Sequence, residues 1–80
     1  MDKKQQLLYT IGTNVKLYRE SHGYTQQELA GRVGLHRNYL AGIEKGQRNL
    51  SVGALCDIAS GLNINVGSLL NVESHDQNDL

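Results

Sequence analysis

Arg37 and Asn38 are adjacent, and Ala41, Gly42 and Lys45 follow at spacings that place all five on one side of a helix. At about 100° per residue, with Arg37 at zero, they fall between about 0° and 140°, while Tyr39, Leu40 and Ile43 fall between about 200° and 300°. One face is therefore apolar and anchors the helix. The other carries two side chains with hydrogen-bonding forks, two very small residues and a cation. Arginine and asparagine are the types that pair bidentately with guanine O6/N7 and adenine N6/N7. Ala41 and Gly42 would let the backbone sink close to a surface, although such a glycine costs a free helix about 1 kcal/mol relative to alanine. An ordinary surface helix with two small residues has the same composition, so this helix alone leaves both readings open.

The elements that must hold it follow from periodicity and punctuation. Leu8, Ile11, Val15 and Tyr18 recur at spacings of three and four and predict an amphipathic first helix from Leu8 to Tyr18. Gly23 stands where a left-handed helix end is expected. Thr25-Gln26-Gln27-Glu28 matches a capping box and opens a short second helix with Leu29, Ala30 and Val33 turned inward. Gly34 interrupts it, Leu35 follows as an apolar plug, and the third helix runs from about His36 to Lys45, ending at Gly46. After a loop, Ser51 caps a fourth helix on which Val52, Leu55, Cys56, Ile58, Ala59 and Leu62 form one broad stripe. Asn65 caps a last short helix bearing Val66, Leu69 and Leu70. No strand alternation appears over a useful length. The expectation is an all-α, five-helix domain over residues 8–70, preceded by an arm at 1–7 and followed by a polar, acidic, disordered tail at 71–80.

Eighty residues make one domain, and a chain this short buries only about 60% of its unfolded surface, so it needs support. Cys56 is the only cysteine, which excludes an intramolecular disulfide and favours a cytoplasmic setting. Neither a signal-peptide pattern nor a membrane-length apolar run is evident. A partner subunit is then the expected support. Net charge is zero, but three of the eight acidic residues follow Val72, leaving a balance of +3 before that point. Arg32, Arg37, Lys45 and Arg48 face the single Glu44 within one short stretch, a local basic segment that suits phosphate. Cys56, on the apolar stripe, reads as a small buried hydrophobe. His22, His36 and His75 have no ligand-like spacing, so neither metal nor cofactor is expected. Leu17, off the apolar face, reads as a lone exposed hydrophobe. Phosphate loops, paired carboxylates and nucleophile–base motifs are all lacking, which argues against an enzyme.

A capped short helix, a glycine turn and a second helix with a polar start form the helix-turn-helix layout. The sequence resembles the lambda-repressor/Cro-like family of Xre-type regulators. The resemblance rests on Thr25-Gln26-Gln27-Glu28-Leu29-Ala30, Val33-Gly34-Leu35, Tyr39-Leu40, Ile43-Glu44-Lys45-Gly46 and Arg48-Asn49. It extends from Ile11-Gly12, Val15 and Arg19 through Leu55, Ile58-Ala59 and Leu62 to Leu69-Leu70, covering about residues 8–70. It implies a lambda-repressor-like DNA-binding domain acting as a homodimeric transcription regulator on a double-stranded operator, with RNA polymerase as a further partner. It also implies that Gln26 touches phosphate and braces the recognition helix, and that Arg37 and Asn38 read bases. Tyr39 would offer its hydroxyl to phosphate, and Lys45, Arg48 and Asn49 would bind the DNA backbone. Arg19 and Glu44 would form a structural ion pair, and Val66, Leu69 and Leu70 would meet the twofold mate. With no separate ligand domain, no small-molecule effector is expected.

A narrower resemblance joins His36-Arg37-Asn38-Tyr39-Leu40, Gly42-Ile43-Glu44-Lys45-Gly46 and Arg48-Asn49-Leu50-Ser51 to controller proteins of restriction–modification systems. The rival is a protein-interaction module or antitoxin of the same fold whose partner is a toxin or other protein. Intact Arg37, Asn38 and Arg48 favour DNA.

Overall fold

In the computed structural model, which describes residues 2–71, every helix is opened by a residue in extended conformation. The elements are α1 (Lys3–Ser21), α2 (Gln26–Val33), α3 (Arg37–Glu44), α4 (Val52–Gly61) and α5 (Val66–Leu70), with no strand among the described residues. The α2 capping box forms as expected: the Glu28 amide donates to Thr25 Oγ1 at 3.0 Å and the Thr25 amide to Glu28 Oε1 at 2.8 Å. Ser51 caps α4 by accepting from the Ala54 amide at 3.0 Å. Asn65 opens α5 without a side-chain cap bond. Between α2 and α3 the chain reverses at Gly34, whose φ of +75° is the left-handed conformation that glycine adopts without a Cβ penalty.

The core gathers one stripe from each helix: Ile11 and Val15, Leu29 and Ala30, Leu40 and Ile43, Leu55, Ile58 and Ala59, and Leu69, joined by Leu62 just past α4. α1 lies against α3 and α5, and α2 against α3 and α4. The α1–α3 approach is close because Gly12 has no side chain. A Cβ there would collide with the Ile43 carbonyl and stand 2.8 Å from that of Glu44. Asn14, two residues further on and on the opposite side of α1, donates through Nδ2 to the carbonyls of Leu69 at 2.9 Å and Asn71 at 2.8 Å, so one amide ties the end of α5 to α1.

The structure corrects four expectations. α1 begins at Lys3, so most of the segment expected as an arm is helix, nucleated by Asp2, whose Oδ1 accepts from the Gln5 amide at 2.8 Å. Cys56 is exposed rather than buried, and so is Val52. Taking Leu55 as zero on α4, the buried positions span about 260° to 40°, whereas Cys56 lies at about 100° and Val52 at about 60° in the first turn. Leu69, expected at a dimer interface, is fully buried in its own domain because α5 uses it as its anchor. From residue 72 onward the expected tail lies outside the described residues. Within them, no helix is long and apolar enough to cross a membrane.

Candidate nucleic-acid interface

Behind α3, a charged network is sealed into the domain. Arg19 is 8% exposed and the Glu44 side chain 3%. Arg19 Nε donates to Glu44 Oε2 at 2.6 Å and its Nη2 to Oε1 at 3.0 Å, a bidentate pair. Arg19 Nη1 donates to the Tyr24 carbonyl at 2.8 Å, and Gln26 Nε2 donates to Glu44 Oε1 at 3.0 Å. The hydrogen bond to Glu44 and its charge hold the Arg19 guanidinium above its ordinary value, despite burial, which pulls the other way. α1, the turn into α2, and α2 itself are thus all fastened to the last turn of α3. The sequence resemblance supplied this pairing; the third member, Gln26, doubles as the brace.

The outer side of α3 is open. Arg37 and Asn38 are exposed in its first turn, with Arg37 Nη1 donating to Asn38 Oδ1 at a long 3.5 Å, so both forks remain available. His36 is the N-cap: its Nδ1 accepts from the Asn38 amide at 3.2 Å. Imidazole is an uncommon cap, since Ser, Thr, Asp and Asn are the usual ones, so no local pattern marks His36 for this role. Lys45 closes α3 as its C-cap and is exposed.

The loop after α3 is tied back to it. Tyr39 Oη donates to the Asn49 carbonyl at 3.3 Å, and the Arg48 guanidinium lies 5.5 Å from the Tyr39 ring centroid. Arg48 also lies across Gly42, where a Cβ would come within 2.6 Å of Arg48 Cγ. Gly42 is therefore not a bare patch awaiting an outside surface, as the wheel had suggested. Its missing side chain makes room for Arg48. The exposed surface of α3 and this loop thus holds Arg37, Asn38, Lys45, Arg48 and Asn49, with Gln26 half-buried at the edge. Val66 and Leu70, expected at a twofold contact, lie on α5, tied to α1. No local pattern pointed to Asn14, because its partners are 55 and 57 residues away.

This fold and surface define the class of helix-turn-helix DNA-binding transcription regulators. The chain belongs to the helix-turn-helix family HTH_3, which it matches over residues 15–69. It is similar to the control protein C.SmaI of Serratia marcescens, 37% identical over 60 residues that cover 75% of this chain and 71% of that one. The crystal structure of the restriction–modification controller protein C.AhdI from Aeromonas hydrophila is 35% identical with a TM-score of 0.76, covering 78% of this chain and 94% of that one. The regulator SinR of Bacillus licheniformis is 36% identical over 70 residues, but these are 63% of its length against 86% here. The crystal structure of a SinR described as the master regulator for biofilm formation, in complex with DNA, is 35% identical with a TM-score of 0.73, covering 76% of this chain and 98% of that one.

Proposed function

We propose that this protein reads a double-stranded DNA operator as a cytoplasmic homodimer, with α3 in the major groove, and controls transcription by competing with or recruiting RNA polymerase. The observation that carries this is the pairing of an exposed fork-bearing first turn, Arg37 and Asn38, with a buried network that fixes the same helix from behind. Base readout needs that rigidity, because bidentate contacts tolerate little angular error. Arg37 and Asn38 contact base edges, whereas Lys45, Arg48 and Asn49, with Gln26 at the near end, contact phosphates. Tyr39 reaches phosphate only by exchanging its bond to Asn49. The likeness to C.SmaI and C.AhdI supports a controller of the restriction–modification type. Leu70, which is 37% exposed, and half-buried Val66 supply the twofold contact without Leu69.

Binding-site selection from a random duplex library, followed by titration of the selected duplex at several salt concentrations, tests this. The expected result is a palindromic site with half-sites about one helical turn apart and affinity that falls steeply with salt. Enrichment of no sequence, or binding indifferent to salt, would overturn the reading in favour of a protein partner.

A further inference from the structure

Gln5 and Tyr9 share one stripe of α1 with Gly12, at spacings of four and three. Gln5 Nε2 donates to the Gly46 carbonyl at 2.7 Å. The Tyr9 ring lies on Gly46, a buried residue at φ +71°, so closely that a Cβ would stand 2.5 Å from Tyr9 Cδ1. The first two turns of α1 are thereby fastened to the joint between α3 and the loop carrying Arg48. Lys3 and Lys4 immediately precede Gln5, and both are exposed; exposed Lys45 immediately precedes Gly46. Among the described residues, no carboxylate lies within ion-pair distance of any of the three. The first turn of a helix is the positive end of its dipole, so two lysines there oppose helix stability, and among the described residues the Asp2 cap is the acidic group that offsets them.

We propose that the first turn of α1 is an accessory phosphate clamp, in which Lys3 and Lys4 engage the DNA backbone beyond the C-terminal end of α3. The proposal rests on the DNA-binding reading above and extends it to a segment outside residues 15–69, the span matched by the family. Ammonium groups on flexible stems suit phosphate as point charges and carry no fork for base edges. Because the segment is helical and bolted to Gly46, it presents its charges at a set place rather than sweeping as a free arm.

The test compares Lys3→Gln/Lys4→Gln, Lys3→Arg/Lys4→Arg and Arg48→Gln with the parent on the selected duplex, with circular dichroism as the fold control. Each phosphate contact contributes about 0.9 to the slope of log affinity against log salt. The glutamine pair should therefore flatten that slope by about 1–2 per protomer while base preference stays unchanged, and the arginine pair should restore it. Gln5→Ala, which frees the first turn from Gly46, should flatten it in part. If the glutamine pair keeps the parental slope while Arg48→Gln lowers it, the clamp is refuted and the DNA reading stands. If the parent itself binds without salt dependence, the DNA reading fails and the clamp with it.

Discussion

Glu44→Ala removes the acceptor on which three elements converge. The carboxylate takes two hydrogen bonds from Arg19 and one from Gln26. After truncation, Arg19 remains 8% exposed in the parent geometry, with the Tyr24 carbonyl at 2.8 Å and the exposed Glu20 carboxylate at 3.9 Å as its remaining partners. Breaking a buried pair in this way costs about 3–5 kcal/mol, chiefly because one charge is left uncompensated. The Tyr24 bond and the nearby Glu20 place this case at the lower end, about 3 kcal/mol. For a domain of this size each kcal/mol moves the midpoint by about 4–8 °C, so Tm should fall by about 12–24 °C. Thermal unfolding followed by circular dichroism gives the shift. A cycle completed with Arg19→Met and the double variant gives the coupling. The double variant should recover much of the loss, since no unpaired charge is then buried. A Glu44→Ala midpoint within about 3 °C of the parent would refute the reasoning, because it would mean that Arg19 escapes to solvent at little cost.

Arg37→Ala should weaken the selected duplex by about 1–3 kcal/mol per half-site and relax preference at one base pair in each, whereas Arg48→Gln should weaken all duplexes alike and lower the salt slope by about 1 per protomer; competition titrations with single-base variants separate the two. Gly12→Ala pushes a methyl group into backbone carbonyls that cannot rotate away, so urea unfolding should show a loss of about 1–3 kcal/mol. Leu70→Glu should split the dimer and keep the helical spectrum, while Leu69→Glu should lose the spectrum itself; sedimentation equilibrium with circular dichroism distinguishes them, and a parent monomeric at hundreds of micromolar would remove the dimer from the account.

Local signals carried most of the fold. The Thr25–Glu28 box, the Gly34 turn and the apolar side of α3 are each written within a few neighbouring residues, and a single physical reason accounts for each. The errors arose where a residue's surroundings come from distant segments. Cys56 and Val52 extend an apolar run, but α4 packs chiefly against α2 and α5, and the flank carrying these two residues stays open. The apolar residues of α5 looked surplus because nothing local shows how completely a five-residue helix must spend Leu69 to stay docked. Residues 3–7 looked like an arm because the apolar period begins only at Leu8; what holds them, the Gln5 bond to Gly46 and the Tyr9 ring lying on it, spans about forty residues. In the candidate interface, side-chain types were legible, but the use of Gly42 as a seat for Arg48 was not.

The amide of Asn14 and the bare Cα of Gly12 sit two positions apart on one rigid rod, the first gripping α5 and the second resting on α3. In the dimer proposed above, the twofold contact and the reading head are therefore set by nearly the same turn of α1, without an intervening loop or hinge. The two reading heads would keep a fixed phase relative to each other, like teeth cut on one gauge. A half-site moved by a single base pair would be out of phase by about a tenth of a turn of B-DNA. The protein has little slack to absorb that, so the DNA would have to twist or bend to meet it. Spacing would then discriminate between operators as strongly as the bases themselves.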